Sequence, residues 1–198
     1  MTVRRVITGH DDAGKAVVVS DEAVDATDPD FAPKWTIWAS EAPVVLPDDG
    51  ALPALSGSPL LPPPGGCHVM VLTFPGHFNP DVMFPADDPV EAARAAREQM
   101  GQAVGILPDP NPPGAYGAIP GFTGMHATAG VDCLMQLYGE TVLVLEGTEV
   151  RLAPGDWVVV NGVVHGWRND GDDPAVLVCV TLGAEHKGIP LRTPPAAG

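Results

Sequence analysis

Two histidines, an aspartate and a threonine are the residues through which this chain could do chemistry. In "GMHATAGVDCLMQLYGE", Gly124 to Glu140, His126, Thr128 and Asp132 stand at even spacing among apolar and small residues. Side chains alternate faces along a strand, so in a continuous strand His126, Thr128, Asp132, Leu134 and Gln136 point the same way. A bulge at Gly130 would alter that register. Downstream, Gly162 permits a tight turn, after which His165, Trp167 and Asn169 share a face. An imidazole and a carboxylate brought together can move protons, hold a metal or orient a ligand, so the question is what brings them together.

The surrounding elements read as strands. Gly and Pro contribute 23 residues each and cut the chain into short segments rich in Val, Ile, Leu and Trp, the pattern of an all-β sandwich or barrel. Lys15 to Ser20, Lys34 to Ser40 and Cys67 to Phe74 are expected strands, the last two separated by a proline-rich loop. After residue 130, "VDCLMQLY", "TVLVLEGTEVRL" with a hairpin at Gly147, "PGDWVVVNGVVHGWRN" and "AVLVCVTL" follow with short turns, which predicts an antiparallel meander or jelly roll. One helix is signalled at about 88–104, where Asp88, Pro89 and Glu91 supply a cap, a first-turn proline and a capping-box acid.

Bulk properties narrow the partners. The chain has 198 residues, enough for one domain, and a formal charge of −15, which repels nucleic acid and anionic membrane surfaces. No membrane span, secretion signal or glycine-rich nucleotide loop is evident, so a cytoplasmic protein without a nucleotide cofactor is expected. Cys67, Cys133 and Cys179 are far apart in sequence and read as reduced structural thiols. His10, His68, His77 and His186 are expected in surface or loop roles.

From Gly121 to Asn169 the chain resembles the cupin superfamily. The first cupin motif runs glycine, five residues, His-x-His, three or four residues, glutamate, six residues, glycine. Its places are taken by Gly121 or a near neighbour, His126, Thr128, Asp132 and Gly139. The second motif corresponds to Pro154, Gly155, Asp156, Gly162, His165 and Asn169. The resemblance implies a jelly-roll barrel over 67–186 including the helix, with 1–66 as N-terminal strands and a proline-rich loop packed on it and 187–198 as a tail. It also implies a homodimer.

Cupin metal sites commonly use three histidines and a glutamate. Here Thr128 replaces one histidine and Asp132 the glutamate, leaving His126, Asp132 and His165, a set that Fe, Mn, Zn or Ni could accept. Three readings follow for a small-molecule substrate. The leading one is an oxygenase or lyase with a divalent metal on those three residues. The second is a metal-free lyase, isomerase or dehydratase with Asp132 and a histidine as acid and base. The third is a ligand-binding cupin without chemistry. Thr128, Gln136 and Trp167 are the expected substrate contacts, although core packing explains Trp167 equally well.

Overall fold

Short apolar segments with alternating burial can cover both faces of a core only by pairing into layers. The computed structural model describes residues 1–27, 33–46, 48–53, 61–79, 125–145 and 147–185. Their strands are β1 (Val3–His10), β2 (Ala16–Val24), β3 (Lys34–Ser40), β4 (Cys67–Phe74), β5 (Gly130–Tyr138), β6 (Thr141–Leu145), β7 (Thr148–Leu152), β8 (Trp157–Asn161), β9 (His165–Arg168) and β10 (Ala175–Gly183). The expected strands at 34–40 and 67–74 are β3 and β4. The helix expected at 88–104 lies outside the described residues.

The architecture is an all-β jelly roll. A five-stranded sheet runs β3-β4-β10-β5-β8, a three-stranded sheet runs β7-β6-β9, and every pairing is antiparallel. On β5 the buried positions are Gly130, Asp132, Leu134 and Gln136, while Val131, Cys133 and Met135 are half-buried on the other face. The inward face joins Met70, Leu177 and Cys179 from the same sheet to Leu143, Leu152 and Trp167 from the opposite one. This is the main core.

A second, smaller cluster lies behind the three-stranded sheet and contains Met125, Ala127, Val142, Val144 and Val164. β6 therefore buries both faces, Leu143 in the main core and its two valines behind. The N-terminal hairpin β1–β2 is a separate two-stranded sheet. Arg5 on β1 donates to the carbonyls of Thr36 (3.3 Å) and Ile37 (3.5 Å), where the β3–β4 register slips, and also pairs with Glu22. Residues leading into β4 dock on the end of β10, Gly65 N–H donating to Gly183 O (3.2 Å) and Gly183 N–H to Gly66 O (3.0 Å).

Candidate functional site

The chain crosses between the two sheets at 125–130, and this corner sets His126. His126 forms an isolated antiparallel bridge with His165 at the start of β9, with N–H to carbonyl distances of 2.7 and 2.8 Å. Four residues later Gly130 opens β5 in the other sheet. The strand is therefore not continuous through 126–136, because the corner must change sheets. Met125 and Ala127 pack behind the three-stranded sheet, so the alternation sends the intervening His126 toward the barrel interior. Val164 behind the sheet does the same for His165.

The two imidazoles face one another, ring centroids 4.5 Å apart and planes inclined by 49°. His165 is buried, and its Nδ1 lies 2.9 Å from the Val163 carbonyl. A carbonyl only accepts, so Nδ1 carries the hydrogen and Nε2 presents a lone pair. Burial first, and His126 second, push His165 down to about 3 against the pull of the Val163 carbonyl. Trp167, two residues on, meets His165 edge-on with centroids 6.0 Å apart and stacks on Phe74.

Asp132 is buried and has each oxygen held by a threonine. Thr128 donates to Oδ2 (3.1 Å) and Thr181, directly opposite on β10, donates to Oδ1 (2.6 Å). The carboxylate thereby ties the corner that carries His126 to the middle of the five-stranded sheet. Both sites lie at one end of the barrel. Gln136 and Thr141 flank the β5–β6 turn at the other end, Asp132 is four residues before Gln136, and His165 pairs with Leu145, four residues after Thr141. At about 3.3 Å per residue, each lies roughly 13 Å from the turn.

Gln136, expected at the substrate, is 0 % exposed and spent on that turn: Nε2 donates to the Tyr138 (2.8 Å) and Gly139 (3.1 Å) carbonyls and Oε1 accepts from Thr141 (2.7 Å). Trp167 belongs to the main core. His68, expected at the surface or in a loop, is instead 1 % exposed near the start of β4, opposite Thr181. Its apolar segment hid it, and only its parity with Met70 and Phe74 could have signalled an inward side chain.

Residues 113–181 match the family model described as "Cupin domain". The chain carries a cupin domain there. Solved structures similar to this cupin include the Cnp3 cupin domain of Schizosaccharomyces pombe, 10% identical over 91% of this chain and 87% of that one, with a TM-score of 0.43. The polyketide cyclase RemF from Streptomyces resistomycificus is 12% identical over 87% and 84%, with a TM-score of 0.42. A putative ethanolamine utilization protein Q from Salmonella typhimurium is 10% identical over 93% and 99%, with a TM-score of 0.40. No curated protein matches this cupin.

The cupin motif positions are legible in the geometry. Gly139 (φ 65°) and Gly162 (φ 61°) are left-handed turns that a Cβ would strain. Asn169 donates to the carbonyls of Phe74, Pro75 and Asp173 and accepts from Gly171 N–H, stitching the end of β9 to the end of β4. Among the described residues no three His, Cys, Asp or Glu side chains stand together as an ion would require. The physical reason is the division of labour just described. Asp132 turns both oxygens to threonines, while His126 and His165 face each other.

Proposed function

We propose that this cupin is a small-molecule enzyme of the lyase or isomerase kind that moves a proton with the His126–His165 pair. The observation that carries this reading is the apposition of two imidazoles, 4.5 Å apart, in unequal surroundings. His165, pushed down to about 3, is a neutral ring at physiological pH whose free Nε2 accepts a hydrogen bond from the substrate. His126, the more open ring, is the partner that exchanges a proton with the substrate. Asp132 serves as the anchor of the corner rather than as the base expected from sequence. A compound bearing a hydrogen beside a carbonyl, or a hydroxyl to be eliminated, suits such a pair.

The test is exchange in D2O. Protein stripped with chelator is incubated with a panel of enolisable ketones, aldehydes and 2-hydroxy acids, and loss of the C–H signal is followed by NMR. Catalysed exchange is expected for some member of the panel, reduced about 100-fold or more in His165→Phe. Exchange that appears only on adding Fe, Mn, Zn or Ni would replace this reading with the metal-dependent one. A compound that raises the melting temperature and stays unchanged would make the protein a binding cupin.

A further inference from the structure

The five-stranded sheet carries apolar rows on its outer face as well as on its inner one. Its register sets Trp35, Val71, Val178, Met135 and Trp157 in one row across β3, β4, β10, β5 and β8. One pleat along, the row is Trp38, Val69, Val180, Cys133 and Val159. Their neighbours in sequence, among them Met70, Leu134, Leu177 and Cys179, point into the main core, so alternation turns both rows outward. An antiparallel sheet with one solvated face carries polar side chains there, yet these two rows hold no charged residue.

The chain covers this face unevenly. Trp35 is 5 % exposed at the β3 end, the middle of both rows is half-buried, and at the β8 end Trp157 and Val159 are 63 % and 54 % exposed. Leu137 on β5 and Leu182 on β10 widen the open part, at 52 % and 46 %. These four side chains and their half-buried neighbours leave on the order of 500 Å² of apolar surface in water, the upper end of what a monomer exposes in one patch. Two such surfaces in contact bury roughly 1,000 Å², the size at which a specific interface begins. The occupant must be flat and must set no unpaired charge against these rows, because burying one is costly. The same face of a second copy has that shape and that lack of charge, and sheets stack about 10 Å apart with their side chains interdigitated. An anionic bilayer, by contrast, is repelled by a formal charge of −15.

We propose that the outer face of the five-stranded sheet, at its β5–β8 end, is a docking surface for a second copy of this chain, the two sheets packing face to face around Trp157 and Val159. The surface is on the opposite side of the sheet from the barrel interior, so it stands independently of the reaction assigned to the histidine pair.

The experiment is sedimentation equilibrium of the full chain over a dilution series, which is expected to show a dimer of twice the 20.5 kDa chain mass. Trp157→Lys and Val159→Lys are each expected to raise the dissociation constant about 100-fold or more with an unchanged circular dichroism spectrum, and Trp157→Phe to keep it within about 10-fold. Val18→Lys, at a side chain 61 % exposed on the N-terminal hairpin, is expected to leave it unchanged. A dimer that survives in the folded Trp157→Lys and Val159→Lys variants, or that Val18→Lys dissociates, would place the contact elsewhere and overturn the proposal. Should neither lysine variant at the β8 end fold, Leu137→Lys at the rim of the same open area decides in the same way. A wild type that stays monomeric at every concentration would also overturn it. If its tryptophan emission then shifted to the blue on neutral phosphatidylcholine vesicles, the face would belong to a lipid surface instead.

Discussion

At the scale of single residues, the strongest electrostatic statement belongs to His165. Its folded-state value of about 3 lies below the 6.5 of an exposed histidine. Between those two values the unfolded chain binds a proton that the folded chain does not, so stability falls as pH drops through that window and is fully present above it. The upper limit of the loss is about 5 kcal/mol. Thermal melts between pH 7.5 and 4.5 should therefore show a steep decline, and His165→Gln should flatten it; an unchanged slope would place the proton uptake elsewhere. Thr181→Val is a second residue-scale prediction. It removes the donor to Asp132 Oδ1 (2.6 Å) while keeping side-chain shape, and should cost about 1–3 kcal/mol in a denaturant titration.

At the scale of elements, two contacts govern how strands meet. Gln136→Met leaves the Tyr138 and Gly139 carbonyls and the Thr141 hydroxyl without their partner inside the β5–β6 turn, and should lower stability by about 1–3 kcal/mol. At Gly183 an added Cβ would sit 2.0 Å from the Pro63 carbonyl oxygen, so Gly183→Ala should loosen the 61–66 segment from β10, read as faster amide exchange at Gly65 and Gly183. The sequence predicts much at this scale: β3 and β4 fall where alternation puts them, and the inward parity of Asp132, Leu134 and Gln136 follows from period two. What escaped it is non-local. The corner at 125–130 depends on pairing His126 with His165, 39 residues away. The Thr181 partner of Asp132 is separated by 49 residues, and no local pattern carries that register.

At the scale of the whole molecule, surface charge and apolar exposure point in different directions. A formal charge of −15 should keep the protein from binding heparin or DNA at physiological salt, and retention on either resin would contradict the excess of acids. On the outer face of the five-stranded sheet, Leu137, Trp157 and Val159 are 52%, 63% and 54% exposed on the adjacent strands β5 and β8. The homodimer implied by the family remains a proposal, and light scattering that returned the 20.5 kDa of a single chain would reject it. The crossing at 125–130 has a mechanical corollary. Because one short segment is bonded to β9 at one end and is part of β5 at the other, a guest that wedges the two rings apart must also prise one wall of the barrel from its neighbour. The backbone amide of His126, held by His165 at 2.7 Å, is then a built-in strain gauge, and its protection against solvent should register occupancy even by a compound that is never transformed.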